Sequence, residues 1–144
     1  MSICLCGCGI TEVRAAIGED EAACIKRYGP ITERGTVNRK ADFTLHWDRK
    51  DRIITAAFVD GTCAMVTHAM KAGAGDLPAE DITAILNDNI PPDSGLTWKP
   101  RDPSAAATGP LSQSWTRSDD KATAVHMGEL LIISTREYLA RKLR

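Results

Sequence analysis

The sequence predicts an α+β protein in which antiparallel β-meanders pack with short helices in the order α-βββ-α-βββ-α. Three observations carry that expectation. Asp60-Gly61 separates two β-rich runs, Arg52–Val59 and Thr62–Met70, and Asp-Gly in that setting marks a two-residue hairpin turn. Cap and charge signals mark one helix between Gly18 and Gly29 and another opening at Pro78. A second set of strand-like segments, Leu111–Arg117, Ala122–Met127 and Leu130–Ser134, is divided by turns at Ser118–Lys121 and Gly128-Glu129. The 144 residues suit one domain with one core, assigned to 11–144, preceded by a flexible segment 1–10.

In the first helix, Glu19, Asp20 and Glu21 lie in the first turn and Lys26 and Arg27 in the last, so both charge sets favour the helix dipole. Gly29 suits the position after the helix end, and Pro30 prevents continuation. Ile17, Cys24, Ile25 and Tyr28 share one side, which should face the sheet. Residues 11–17 offer a preceding helical turn. Phe43–Trp47 then returns through a turn at Asp48–Asp51, which predicts Leu45 beside Ile54 and Phe43 beside Ala56. Across Asp60-Gly61, Phe58 should oppose Cys63, and Ala56 should oppose Met65. Alternation collects Phe43, Leu45, Ile54, Ala56, Phe58, Cys63 and Met65 on a core face. The other face, with Thr44, His46, Ile53, Thr55, Ala57, Val59, Ala64, Val66 and His68, is small, mildly apolar and open to a partner.

The helix opened by Pro78 carries an apolar stripe of Ile82, Ile85 and Leu86 and ends between Asn87 and Pro92. Residues 91–110 are Pro-rich and without periodicity, so an extended loop is expected, free of regular helix and pinned by Trp98 against Trp115. Trp115, Ala124 and Ile133 align on one face of the second meander. Ser134 and Glu137 form a capping box, with Ile133 and Tyr138 as its hydrophobic staple, and start a terminal helix through Leu143.

Function is constrained mainly by exclusion. A net charge of −1 with interspersed signs lacks the footprint of a non-specific nucleic-acid binder. No His-Glu-x-x-His, phosphate-binding loop or Gly-x-Ser-x-Gly occurs, so no catalytic residue, metal site or cofactor is expected. The acidic run Glu19–Glu21 is explained by the helix dipole, and the basic ending Arg136, Arg141, Lys142 and Arg144 by the far end of a helix. His46, His68 and His126 all fall within strands as packed or surface residues. Cys63, Met65, His68 and Met70 form a string of soft ligands, but alternation points the first two away from the last two unless a β-bulge intervenes. The tryptophans stand out in a chain with 5% aromatic residues. Trp47 at a hairpin mouth, Trp98 in the long loop and Trp115 beside it are candidate binding residues, with closure of the core ends as the alternative role.

Three of the five cysteines, Cys4, Cys6 and Cys8, crowd the first eight residues. Leu5-Cys6-Gly7-Cys8 resembles the lipobox of bacterial lipoproteins, which makes Cys8 the candidate lipid-attachment residue. Signal peptides run to roughly 15–30 residues, so this resemblance implies a start upstream of Met1. Soft-metal binding by the three thiolates, or no role at all, are the alternatives. Cys24 and Cys63 point at the same helix–sheet layer and are candidate disulfide partners, two separate buried thiols being the alternative.

The element order, together with Arg27-Tyr28-Gly29, Asp60-Gly61-x-Cys63 and Trp115-x-Arg117-x-Asp119, resembles small exported bacterial proteins of unknown function. At fold level it is similar to the modules of the β-lactamase inhibitor protein and of the small lipoprotein of the outer-membrane assembly machine. The resemblance implies a non-catalytic protein-binding module outside the cytoplasm, in the periplasm or at the outer membrane, touching a membrane only through a lipid anchor. The alternatives are a small cysteine-dependent enzyme, a soft-metal-binding protein or a cytosolic regulator.

Overall fold

The computed structural model describes residues 16–35, 40–101 and 112–141. Cys4, Cys6 and Cys8, most of the turn expected over 11–17, and residues 102–111 lie outside the described residues; the terminal helix expected through Leu143 ends at Ala140, with Arg141 already extended. Helix α1 (Glu21–Tyr28) starts where the Asp20 carboxylate accepts the Ala23 N–H at 2.8 Å and ends at Gly29, whose φ of 85° disfavours a Cβ. Strands β1 (Glu33–Gly35), β2 (Phe43–Asp48), β3 (Arg52–Val59) and β4 (Thr62–Met70) follow. After α2 (Ala79–Asp88) come β5 (Trp98–Pro100), β6 (Ser112–Arg117), β7 (Ala122–Met127) and β8 (Leu130–Thr135), then α3 (Arg136–Ala140).

All eight strands form one antiparallel sheet in the order β1-β2-β3-β4-β8-β7-β6-β5. The α+β class is as expected, but each predicted run of three strands has a fourth. The extra strands, β1 and β5, are three residues long, too short for alternation to show in Glu-Arg-Gly or Trp-Lys-Pro. The molecule is therefore two α-β₄ halves joined along the β4–β8 seam. A paired contact repeats in both halves. The Trp47 indole N–H donates to the carbonyl of Gly29, the residue after α1, at 2.7 Å, and the Arg117 guanidinium donates to that of Asn89, the residue after α2, at 3.0 Å.

Register departs from expectation at two places. Leu45 pairs with Ala56, Trp47 with Ile54 and Phe43 with Phe58, a slip of two residues that leaves every side chain on its expected face because the strand period is two. Beyond the Asp60-Gly61 turn, Phe58 opposes Cys63 as expected, but Met65 pairs with Ala57 and Val66 with Ala56. Ala64 is the extra residue of a β-bulge, and from there on β4 is turned over. Val66, His68 and Met70 therefore join Cys63 on the core face, while Met65 faces away. The α3 cap is also one residue later than predicted: Thr135, not Ser134, accepts the Tyr138 N–H at 3.1 Å, because pairing with Ala122 holds the strand to Thr135 and Ser134 stays buried within it.

Helices α1 and α2 cover one face of the sheet. Cys24 of α1, and Ile82, Ile85 and Leu86 of α2, pack in one cluster with Leu45, Trp47, Ala56, Phe58, Val66, Leu131 and Ile133. On the other face, among the described residues, α3 lies down, its Tyr138 packed with Ala41, Ala57 and Ala64. Among the described residues, no helix is long and apolar enough to cross a membrane.

Candidate functional site

The three tryptophans divide. Trp47 is 1% exposed, with its ring 4.9 Å from that of Tyr28, so it offers no surface and is corrected from binding candidate to core residue. The turn after β2 does not open its side chain to solvent, because α1 ends directly over it. Trp98 and Trp115 are half-buried and together line a cleft of about 310 Å³ beside α2, with Leu86, Asn87, Ile90 and Leu96. Residues 91–101 carry no helix, and Trp98 is anchored: its indole N–H donates to the Leu86 carbonyl at 2.7 Å. Trp98→Phe, which keeps a ring and deletes the donor, is expected to cost about 1 kcal/mol in urea denaturation. A change within error would show that the bond does not hold the loop.

Asn89, which sequence reasoning passed over, is fully buried and ties three segments together. Its side-chain oxygen accepts the Ile17 N–H at 3.1 Å, its amide donates to the Ile85 carbonyl at 2.9 Å, and its own carbonyl takes the Arg117 bond. Arg117 in turn grips Asp119 with two nitrogens at 3.0 and 2.9 Å, which holds that carboxyl below its ordinary range. Arg117 and Asp119 belong to the Trp-x-Arg-x-Asp motif, whose work is thus structural.

The histidines occupy three environments. His46 is bracketed by Thr44 and Thr55 hydroxyls at 2.9 and 3.1 Å, and His126 by the Gly128 carbonyl at 2.9 Å. His68 is 4% exposed, and neither ring nitrogen has a hydrogen-bond partner. Its edge approaches the Tyr28 ring at 6.3 Å between centroids. The bulge brings Cys63, His68 and Met70 to one face, yet the described residues contain no group of three His, Cys, Asp or Glu placed to hold a metal. Cys24 and Cys63 are both buried free thiols. At the basic end, Arg136 pairs with Asp120 at 2.8 Å.

The side of the sheet away from α1 and α2 carries α3 at one end. Its side chains fall in cross-strand rows. One row runs Ile53, Ala69, Leu130, Met127 over β3, β4, β8 and β7, and the next runs Thr55, Thr67, Ile132, Val125. Ile53 and Met127 are 39% and 37% exposed, and the others are half-buried. No side chain in either row carries a charge; Asp48 and His46 appear only where the rows reach β2. The solvated face of an antiparallel sheet is ordinarily polar. No protein-family model, curated protein or solved structure matches this chain.

Proposed function

We propose that the protein is a non-catalytic protein-binding module of the bacterial cell envelope or secreted space, and that it meets its partner with the side of the sheet away from α1 and α2. The observation that carries this reading is the pair of uncharged rows across four central strands. Uncharged, partly apolar surface several strands wide is what a partner protein dehydrates at low cost. Edge pairing is a poor alternative, since β1 and β5 have three residues each and β5 ends in Pro100. Export rests on the resemblance of Leu5-Cys6-Gly7-Cys8 to a lipobox, with Cys8 as the lipid-bearing residue. A Cys24–Cys63 disulfide would suit the oxidising compartment that export implies.

A photo-crosslinking residue placed at Thr67, in the middle of the rows, tests the interface in cells. A discrete adduct is expected from position 67 and not from Glu80 on the exposed side of α2. Adding Ile53→Lys and Met127→Lys should abolish it while leaving the melting temperature within a few degrees, because both sites are already exposed. Equal labelling from position 80, or an adduct indifferent to the two lysines, would remove the sheet face from consideration.

A further inference from the structure

The side of the sheet away from α1 and α2 is polarised from margin to margin. Glu33 and Asp48 stand on it at the β1–β2 margin, both exposed. Lys99 and Arg101 stand at the β5 margin, where the Arg101 N–H extends the ladder by donating to the Ser114 carbonyl at 2.8 Å. Among the described residues, the strand positions between these margins on this side hold no Asp, Glu, Lys or Arg.

The uncharged middle is divided as well. On the β4 side of the β4–β8 seam, Ala69 and Thr67 leave the surface low, and across it their paired neighbours Leu130 and Ile132 raise it. Among the described residues, the large apolar side chains most open to solvent are Ile53, Met127 and Leu139. Ile53 and Met127 flank the same row on opposite sides of the seam, and Leu139 belongs to α3. Charge and height are thus reversed, and exposure mirrored, about one line.

We propose that the occupant of this face is a second copy of the chain, related by a two-fold axis along the β4–β8 seam; the proposal rests on the face being the interface argued above. That rotation lays the β3–β4 half of each copy on the β8–β7 half of the other. Ala69 lies under Leu130, Thr67 under Ile132, and Ile53 meets Met127. At the margins Glu33 meets Arg101, once in each direction. An axis across the strands does the opposite, because it stacks the raised halves on each other, leaves a gap between the low ones and sets acidic margin on acidic margin. Sheets packed face to face stand about 10 Å apart. A helix is itself about 10 Å across, so the two sheets diverge toward α3, where the two α3 helices lie side by side and fill the wedge. Eight strands about 4.8 Å apart make the face about 34 Å wide. Its two open rows and α3 together come near the roughly 800 Å² that each partner buries in a standard interface. A contact of this self-complementary kind closes at two copies.

The purified full chain is examined by sedimentation velocity at about 10 μM, where an interface of standard size holds, and twice the chain mass is expected. Ile53→Lys with Met127→Lys should halve that mass. Glu33→Arg alone and Arg101→Glu alone should each weaken self-association about tenfold or more, since each sets two like-charged pairs face to face. Mixed in equal amounts, with one isotopically labelled, these two variants should form a mixed dimer in native mass spectrometry, because opposite charges again meet at both margins. All the variants should keep the wild-type melting temperature within a few degrees, as these positions are exposed. A wild type that stays monomeric overturns the second copy as partner. A crosslink from position 67 to a different protein would then leave the interface standing, whereas no adduct would remove both. A dimer indifferent to the two lysines is paired through another surface, and a mixture that stays monomeric overturns the axis.

Discussion

Replacing Trp47 with alanine is expected to remove about 4 kcal/mol of stability, seen as a lower urea midpoint at unchanged slope. The side chain is 1% exposed, stands across β2–β3 from Ile54 and packs against Tyr28. Its truncation empties the space between α1 and the sheet and leaves the Gly29 carbonyl without its donor. A domain of this size holds only about 5–15 kcal/mol in all, so the variant should be partly unfolded at physiological temperature. Trp47→Phe separates the two contributions, since most of the buried ring remains and about 1–2 kcal/mol should go with the hydrogen bond. An alanine variant within about 1 kcal/mol of the wild type would mean that the indole is not the anchor of this half.

The second large effect is a loss of stability in mild acid traceable to His68. Burial, reinforced by the positive charges of Arg52 and Arg49, lowers its pKa to about 4, with Asp81 on α2 acting in the opposite direction. The groups facing the ring are Tyr28 from α1 and, across the strands, Ile54 and Leu131. In the unfolded chain the imidazole titrates near its ordinary 6.5. Below that value the unfolded state takes up a proton that the fold refuses. The contribution is thus complete above pH 6.5 and is lost as the pH falls from 6.5 through 4, by up to about 3 kcal/mol. Asp51 and Asp119, held below the ordinary carboxylate range by Arg52 and Arg117, lose their contributions at lower pH still. Denaturation curves for His68→Leu should be flat through the upper window, with stability at pH 7 equal or higher because two unsatisfied nitrogens are gone. The same slope in the variant would place the acid sensitivity elsewhere.

What the sequence revealed followed from local chemistry. The Asp60-Gly61 turn, with φ of 52° and 80°, and the bounds of β3, β4 and β7 emerged from hairpin residues and alternation. The Ile82, Ile85, Leu86 stripe located α2 on the sheet, and the Glu19–Glu21 run with Gly29 bracketed α1, although Asp20 caps the helix from outside rather than lying in its first turn. That Cys24 and Cys63 share the layer between α1 and the sheet was legible because both sat on faces fixed by period. The bulge at Ala64 was not, since an alanine in a strand carries no mark of being unpaired, and it alone decided whether His68 was surface or core. Trp47 was misplaced because burial there depends on where the end of α1 comes to rest, and Asn89 because its partners lie at Ile17 and Arg117. For the candidate site, only the β2–β3 part of the face away from α1 and α2 was foreseen; its breadth depends on the β4–β8 seam.

Gly18 at the start of the first half and Arg141 beyond the end of the second border the same cavity. The stretch 71–78 makes the other link between the halves. Since each half has its own helix and four sequential strands, running α2 to β8 before α1 to β4 would preserve every strand pair. Strand pairing therefore does not impose the order of the halves, and a permutant joined near this cavity and opened within 71–78 is expected to keep the same sheet.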